Sequence, residues 1–377
     1  MPRMNKSLLL SVIFISGLAI ASAGSFSAQT LSREKILTIE KLLSSKMSKE
    51  NIPGLSIAIA KDGKIIWSRG YGTADLENFV PAKATTAYRS ASVGKPITAV
   101  AVMQLAEKQK LDLDAPVWKY CSAFPPKKWI LTSRQLLAHT GGIRHYGGTN
   151  AEAELYSTTH YSSVVQSLSV FKNDPLNFEP GTDYLYSSYG YNTLGCVIEG
   201  ASGMNYLAYL QENIFEPSGM MNTRADNPSD IVRNRASGYE INGAGELKNS
   251  RHIDMSNRLP AGGFLTTAED LARFASAVME HRLVSSATLE LMLTPQKTKT
   301  GKVLDYGLGW GLFPGEDWYG EREAFHGGQS PQVSNVLYML PGRRFAVAIQ
   351  MNLEGVPERT ELAASIAKIV LDLGKKS

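Results

Sequence analysis

The sequence predicts an α/β fold in the loose α+β sense: an antiparallel β-sheet flanked by terminal helices, plus an all-helical lobe. Three observations predict it. Two strand-like runs near the N-terminal end flank an Asp-Gly turn, strand-like runs return after residue 305, and the stretch between is patterned at helical spacing and punctuated by Gly and Pro. The two ends are therefore expected to share one sheet, with any site in the groove between sheet and helical lobe, because pockets favour such junctions.

The elements follow in order. Ser32 to Met47 places Ile36, Ile39, Leu42 and Leu43 at helical spacing. Gly54 to Lys61 and Lys64 to Arg69 read as a hairpin across Asp62-Gly63. Pro96 to Gln109 is rich in Ala, Val, Met and Leu, as a buried helix would be, and Tyr189 to Ala201 reads the same way. Thr132-Ser133 opens a short helical stretch through Leu137. Thr267 caps an amphipathic helix to His281, with Leu271, Phe274, Ala275 and Val278 on one face. Tyr306 to Phe313, Val333 to Leu340 and Phe345 to Gln350 read as strands, the last two joined by Pro341-Gly342. Arg359 to Leu373 closes the chain as an amphipathic helix.

Composition narrows the role. With 377 residues and 43% hydrophobic content the chain can bury a sizeable core. The net charge of +4 comes from dispersed residues with no basic stripe, so nucleic acid is not an expected partner. Arg3 and Lys6, the apolar run Leu8 to Ala21 and the small residues Ala21-Ser22-Ala23 read as a signal peptide over 1–23. The mature chain, 24–377, is then exported to the periplasm or beyond and keeps no membrane span. It divides into a sheet lobe (about 31–85 and 300–377) and a helical lobe (about 86–299) of one catalytic domain. An uncleaved anchor is the alternative. The two cysteines, Cys121 and Cys196, are expected as separate thiols, since Cys196 lies in an apolar helical stretch. No CxxC, HExxH or close His pair is present, so neither a metal nor another cofactor is expected.

Three elements can carry chemistry. The first is Ser92-Val-Gly-Lys95-Pro. Residues i and i+3 share a helix face, so Lys95 can reach Ser92 and act as its base once burial lowers the amine's pKa. Pro96 cannot donate to the Ser92 carbonyl, so the helix must be irregular or only just beginning there. The second is Tyr184-Leu-Tyr186-Ser-Ser188-Tyr189-Gly-Tyr191, where a buried phenol can serve as phenolate base or proton relay. The third is Phe325-His326-Gly327-Gly328-Gln329, whose glycines allow close backbone approach by a ligand. There His326 can donate to a substrate carboxylate or tune a proton network.

Taken together and in this order, the three resemble the signatures of the serine β-lactamase and penicillin-binding-protein superfamily, a β-lactamase/transpeptidase-like fold. Leu136-Leu-Ala-His139-Thr-Gly-Gly-Ile143 and Ala261-Gly-Gly-Phe-Leu-Thr-Thr-Ala-Glu-Asp270 are also similar to segments of that family, most of all its class C branch. Gly142 to Tyr146, Phe171 to Leu176 and Tyr186 to Tyr191 resemble a mitochondrial, peptidase-like group that forms filaments. The resemblance implies Ser92 as acylated nucleophile, Lys95 as base and Tyr186 as proton relay. It puts Ser188 where many members have Asn and His326 in place of the strand lysine. The N–H groups of Ser92 and Gln329 would form the oxyanion hole, and His139 and Asp270 would hold loops and a helix. A register using Tyr184 or Tyr189 stays open. The implied function is hydrolysis of a small-molecule or peptide amide or ester through an acyl-serine, with β-lactams poor substrates. The alternative is a penicillin-recognising sensor or filament-forming homo-oligomer with little turnover.

Overall fold

The computed structural model describes residues 31–147, 151–313 and 321–374. The segment 1–23, expected to be a signal peptide, lies outside them. The sheet draws on both ends of the chain: β1 (Gly54–Lys61), β2 (Lys64–Asp75), β3 (Val80–Pro81), β4 (Gly311–Leu312), β5 (Ala324–Ser330), β6 (Val333–Leu340) and β7 (Phe345–Met351). Their antiparallel order is β3-β2-β1-β7-β6-β5-β4, so β1 from the front of the chain lies beside β7 from its end.

Side-chain size, not polarity, decides which face goes where. On β1, Ile57 and Ile59 point to one face and Ala58 and Ala60 to the other. On β7, Phe345, Val347 and Ile349 oppose Ala346 and Ala348 in the same way. Register aligns Ile57 with Ile349 and Ile349 with Val336, giving a continuous bulky row across three strands. That row packs under α1 (Arg33–Glu50) and α5 (Arg359–Leu371) through Ile39, Leu43, Leu362 and Ile366. Each such fully buried side chain contributes roughly 1.5–3 kcal/mol. The alanine face accepts α4 (Ala268–Met279), whose Phe274 and Val278 fill the room that the small side chains leave. Thr267 caps α4, accepting from the Asp270 N–H at 3.1 Å.

The helical lobe is built on α2 (Lys95–Glu107) and α3 (Ser188–Ser202). Every residue of α2 from Lys95 to Leu105 is buried, which explains its all-apolar reading. A 3₁₀ turn over Ala91–Gly94 leads into it, the irregular start that Pro96 demands. Among the described residues no helix is long and apolar enough to cross a membrane.

Three expectations need correction. Tyr306 to Phe313 is not one strand; only Gly311–Leu312 pairs with β5. Gly309 sits at φ +91°, and a Cβ there would meet Ala99 Cβ at 2.2 Å, so the segment turns and presses onto α2 instead of extending. The His326-Gly327-Gly328 run, whose glycines are expected to admit a ligand, is part of strand β5, with Gly328 against the Ser90 carbonyl.

Cys121 and Cys196 form a disulfide, contrary to the expectation of separate thiols. The reason is packing. A Cβ on Gly200 would lie 1.6 Å from the Tyr120 carbonyl, so α3 runs directly against that loop. Cys196 is one turn earlier on the same face, and its Cα is 5.4 Å from that of Cys121, within bridging range. The bridge closes a loop with a sequence separation of 75. Loss of such a crosslink costs about 2–4 kcal/mol. The unfolded, unreduced protein is therefore expected to show no titratable thiol, and Cys196→Ala to melt at a clearly lower temperature. Two reactive thiols in that titration would refute the pairing.

Candidate active site

The turn that carries Ser92 is clamped from several sides. Ala91 just before it adopts φ +46°, a left-handed conformation costing a non-glycine residue roughly 1–2 kcal/mol. Surrounding bonds hold it there. Ser90 Oγ donates to the Gly262 carbonyl at 2.8 Å, and the Ser90 N–H donates to the Phe264 carbonyl at 2.8 Å. From β6, Asn335 Nδ2 donates to the carbonyls of Arg89 (2.7 Å) and Ser90 (3.0 Å). Two glycines make the clamp sterically feasible. A Cβ on Gly262, itself at φ +133°, would lie 1.7 Å from the Ala91 carbonyl, and one on Gly328 would lie 2.8 Å from the Ser90 carbonyl. Gly328 thus admits the Ser92 turn and not a ligand, while a Cβ on Gly327 would meet only Arg359 Nη2, at 3.8 Å.

Lys95 is the fully buried centre of the site. Its Nζ lies 3.1 Å from Ser92 Oγ, 3.0 Å from Ser188 Oγ and 3.2 Å from the Ala261 carbonyl. Among the described residues no carboxylate pairs with it. Burial, reinforced by the nearby Arg258 cation, holds its pKa well below the usual lysine range. A neutral amine has two N–H donors and one lone pair. Ser188 Oγ and the Ala261 carbonyl can take the two donors, which leaves the lone pair for the Ser92 hydroxyl.

Tyr186 lies with its ring centroid 4.7 Å from Lys95 Nζ and 4.3 Å from the ring of His139. Burial pushes its phenol above the ordinary tyrosine value, against the lowering effect of a bond from Ser92. That shift favours the neutral phenol, and with it the relay role over the phenolate one. Tyr189 points elsewhere: its hydroxyl donates to Glu154 Oε2 at 2.8 Å and its ring stacks on Phe171. Tyr184 reaches the edge of His139 at 6.0 Å, behind Tyr186.

Three histidines surround the cluster, all neutral. His326 Nδ1 donates to its neighbour's carbonyl, Gly327 O, at 2.8 Å, which leaves Nε2 to accept from Tyr306 Oη at 2.9 Å. Burial and then Lys95 depress its pKa to about 3. Both ring nitrogens are therefore occupied, which corrects the expectation that His326 donates to a substrate carboxylate; tuning of the proton network is what its position allows. His145 Nδ1 accepts the Ser188 N–H at 3.2 Å, and burial lowers its pKa to about 4. His139 Nδ1 accepts the Ser187 N–H at 3.1 Å inside a cage of Tyr184, Tyr186, Tyr191 and Tyr306. Asp270 accepts from the Asn222 N–H (2.8 Å) and Thr223 Oγ1 (2.9 Å), tying α4 to the preceding loop. Both His139 and Asp270 hold structure, as their motifs imply.

The cleft over Ser92 has a free volume of about 50 Å³, lined among others by His145, Ser188, Arg258, Ala261 and Gln329. Gln329 is exposed at its rim, its Oε1 accepting from Arg359 Nη1 at 3.4 Å. A larger cavity of about 370 Å³ beside Arg89 and Asp226 has no hydroxyl within hydrogen-bond reach of a lysine or histidine. Among the described residues no cluster of His, Cys, Asp and Glu could hold a metal ion. Sequence reasoning missed Asn335, Tyr306, His145 and Arg258. Asn335 is flagged only by being polar inside the apolar run Val333 to Leu340, and Arg258 only by its closeness to Gly262-Gly263.

Residues 39–371 match the family model described as Beta-lactamase. The chain is 32% identical over 380 aligned residues to the mitochondrial serine beta-lactamase-like protein LACTB of Homo sapiens, covering 77% of this chain and 69% of that one. Its structure is similar to that of the octameric penicillin-binding protein homologue from Pyrococcus abyssi, with TM-score 0.78, 26% identity, and 90% and 78% of the two chains covered. It shares its fold with a D-stereospecific amidohydrolase from Streptomyces sp., with TM-score 0.70, 22% identity, and 89% and 98% covered.

The buried amine has a thermodynamic signature. Lys95 binds fewer protons folded than unfolded, so its burial opposes folding below the ordinary lysine pKa, and that penalty fades as pH rises towards it. Lys95→Met is expected to gain stability on the native protein at neutral pH, with the gain shrinking as pH increases in denaturant titrations. A gain that does not vary with pH would mean that Lys95 is charged in the fold.

Proposed function

This chain belongs to the serine β-lactamase and penicillin-binding-protein superfamily, and from that membership we propose that it is an exported serine hydrolase working through a covalent ester on Ser92. The single observation that carries the reading is the Lys95 amine, buried, its pKa held well below the usual lysine range, and 3.1 Å from the Ser92 hydroxyl.

Neutral Lys95 takes the Ser92 proton as Oγ attacks the substrate carbonyl. The developing oxyanion is received by the N–H groups of Ser92 and Gln329. Tyr186, its ring 4.7 Å from Lys95 Nζ, relays the proton to the leaving group, whose departure leaves the acyl-serine. Water then attacks that ester by the reverse proton path, releasing the acid and restoring the serine. Ser188 keeps Lys95 in place.

A peptide-like amide or a carboxylic ester is the favoured substrate class. The neutral His326 supplies no cation on the strand side for a β-lactam carboxylate. Export is supported by the N-terminal sequence and by the Cys121–Cys196 bridge, which suits an oxidising compartment. The octameric state described for the archaeal homologue supports testing for a homo-oligomer.

Intact-mass spectrometry after incubation with a neutral fluorophosphonate is the test. One adduct on the wild type and none on Ser92→Ala is expected, with penicillin giving slow or no turnover. No adduct on the wild type would overturn the mechanism. A penicillin adduct that persists without turnover would favour the sensor reading.

A further inference from the structure

Arg258 is a buried cation without a counter-ion. It is 3% exposed. Nε donates to Asn257 Oδ1 at 2.7 Å, and Nη2 donates to the carbonyls of Glu154 (2.7 Å) and Leu155 (2.8 Å). The ring of Tyr146 lies 4.6 Å from its Cζ. Among the described residues no carboxylate forms an ion pair with it, and the nearby acids are engaged elsewhere. Glu154 is held by Arg144 and Tyr189 at 2.8 Å each, and Asp254 by His160 at 2.8 Å. An unpaired buried charge is expensive to desolvate, so its retention calls for a partner.

The one guanidinium nitrogen left unused points to where that partner binds. Among the described residues Nη1 has no hydrogen-bond partner, yet it is not among the buried polar atoms sealed away without one, and Arg258 lines the Ser92 cleft. That lining contains no Asp or Glu. Arg258 is the only lysine or arginine in that lining, and burial lowers the pKa of its one histidine, His145, to about 4. The free volume over Ser92, about 50 Å³, suits a group the size of a carboxylate.

We infer that Arg258 anchors a carboxylate on the substrate, so that this site selects acidic esters or amides over their neutral counterparts. The inference rests on the reading of Ser92 as nucleophile. Its anion seat is on the helical-lobe wall, at the end of the turn leading into Leu259–Gly262, and not on β5. Arg258 also helps to lower the Lys95 pKa, so a loss of rate alone says nothing about recognition. The ratio between acidic and neutral substrates does.

Two substrate pairs separate the possibilities: the mono-para-nitrophenyl ester of glutaric acid against its methyl ester, with the carboxylate on the acyl side, and meta-acetoxybenzoate against its methyl ester, with the carboxylate on the leaving group. In at least one pair kcat/KM for the acid is expected to exceed that for the neutral ester by about ten-fold, the worth of a charged hydrogen bond. High salt should erode the advantage. Arg258→Met should bring the ratio close to unity and Arg258→Lys should restore part of it. The pH profile of Arg258→Met on the neutral ester should move to higher pH as the Lys95 pKa recovers. Equal rates within both pairs for the wild type, or an advantage that survives Arg258→Met, overturns the inference. If Arg258→Met does not fold, inhibition of the wild type decides: glutarate should compete well below the concentration at which glutaramide does, and equal inhibition overturns the inference. Ser92 acylation by the neutral esters with no acid preference removes this inference alone, whereas no acylation by any ester removes the function as well.

Discussion

Everything at the site is arranged around one buried amine whose pKa is held well below the ordinary lysine range. Lys95 is enclosed by Ser92, Ser188, the Ala261 carbonyl and the rings of Tyr186 and Tyr191, with no carboxylate to stabilise an ammonium. A protein that needed lysine only for stability would pair it or expose it. Here the fold accepts a buried titratable group that opposes folding at neutral pH, and on the proposed reading gains a base matched to a serine hydroxyl. The interaction is available only because α2 is buried all round, so its first side chain has no route to water.

Position is the second constraint. The turn that carries Ser92 sits where sheet and helical lobe meet, and both hold it. Asn335 reaches from β6, Gly262 presses from the lobe, and Gly328 lets β5 pass beside the Ser90 carbonyl. The left-handed Ala91 is tolerated because these contacts over-determine it. A rigid turn places Oγ and the Ser92 N–H in fixed relation to β5, which is what electrostatic stabilisation of a developing oxyanion requires.

The charge inventory of the cleft is unusual in that most of its titratable groups are silent. Desolvation lowers the pKa of the amine and of the three histidines alike. Tyr306 contributes by giving His326 a hydrogen bond that fixes its tautomer. Arg258 stands apart because a guanidinium does not deprotonate at any ordinary pH. Such a cleft has one place where an anion is favoured and several where only neutral hydrogen-bonding groups are.

The amino-acid sequence alone determined the elements and the core of the site. Periodicity located the terminal helices, the hairpin and the buried helices, because these depend on local spacing. Ser92, Lys95 and Tyr186 were legible because their motifs lie in short contiguous runs. What failed was whatever depends on two distant segments meeting. Cys121 and Cys196 pair because Gly200 lets α3 touch the Tyr120 loop. Tyr306 leaves its strand because Gly309 must clear Ala99. His326 looks like a free donor until Tyr306 and the Gly327 carbonyl occupy it. Arg258 looks like any surface arginine until tertiary packing buries it beside Ser92. Local chain chemistry sets which groups are present and which helix or strand bears them. Only the close approach of remote backbones, decided by glycine contacts and burial, sets their protonation and their partners.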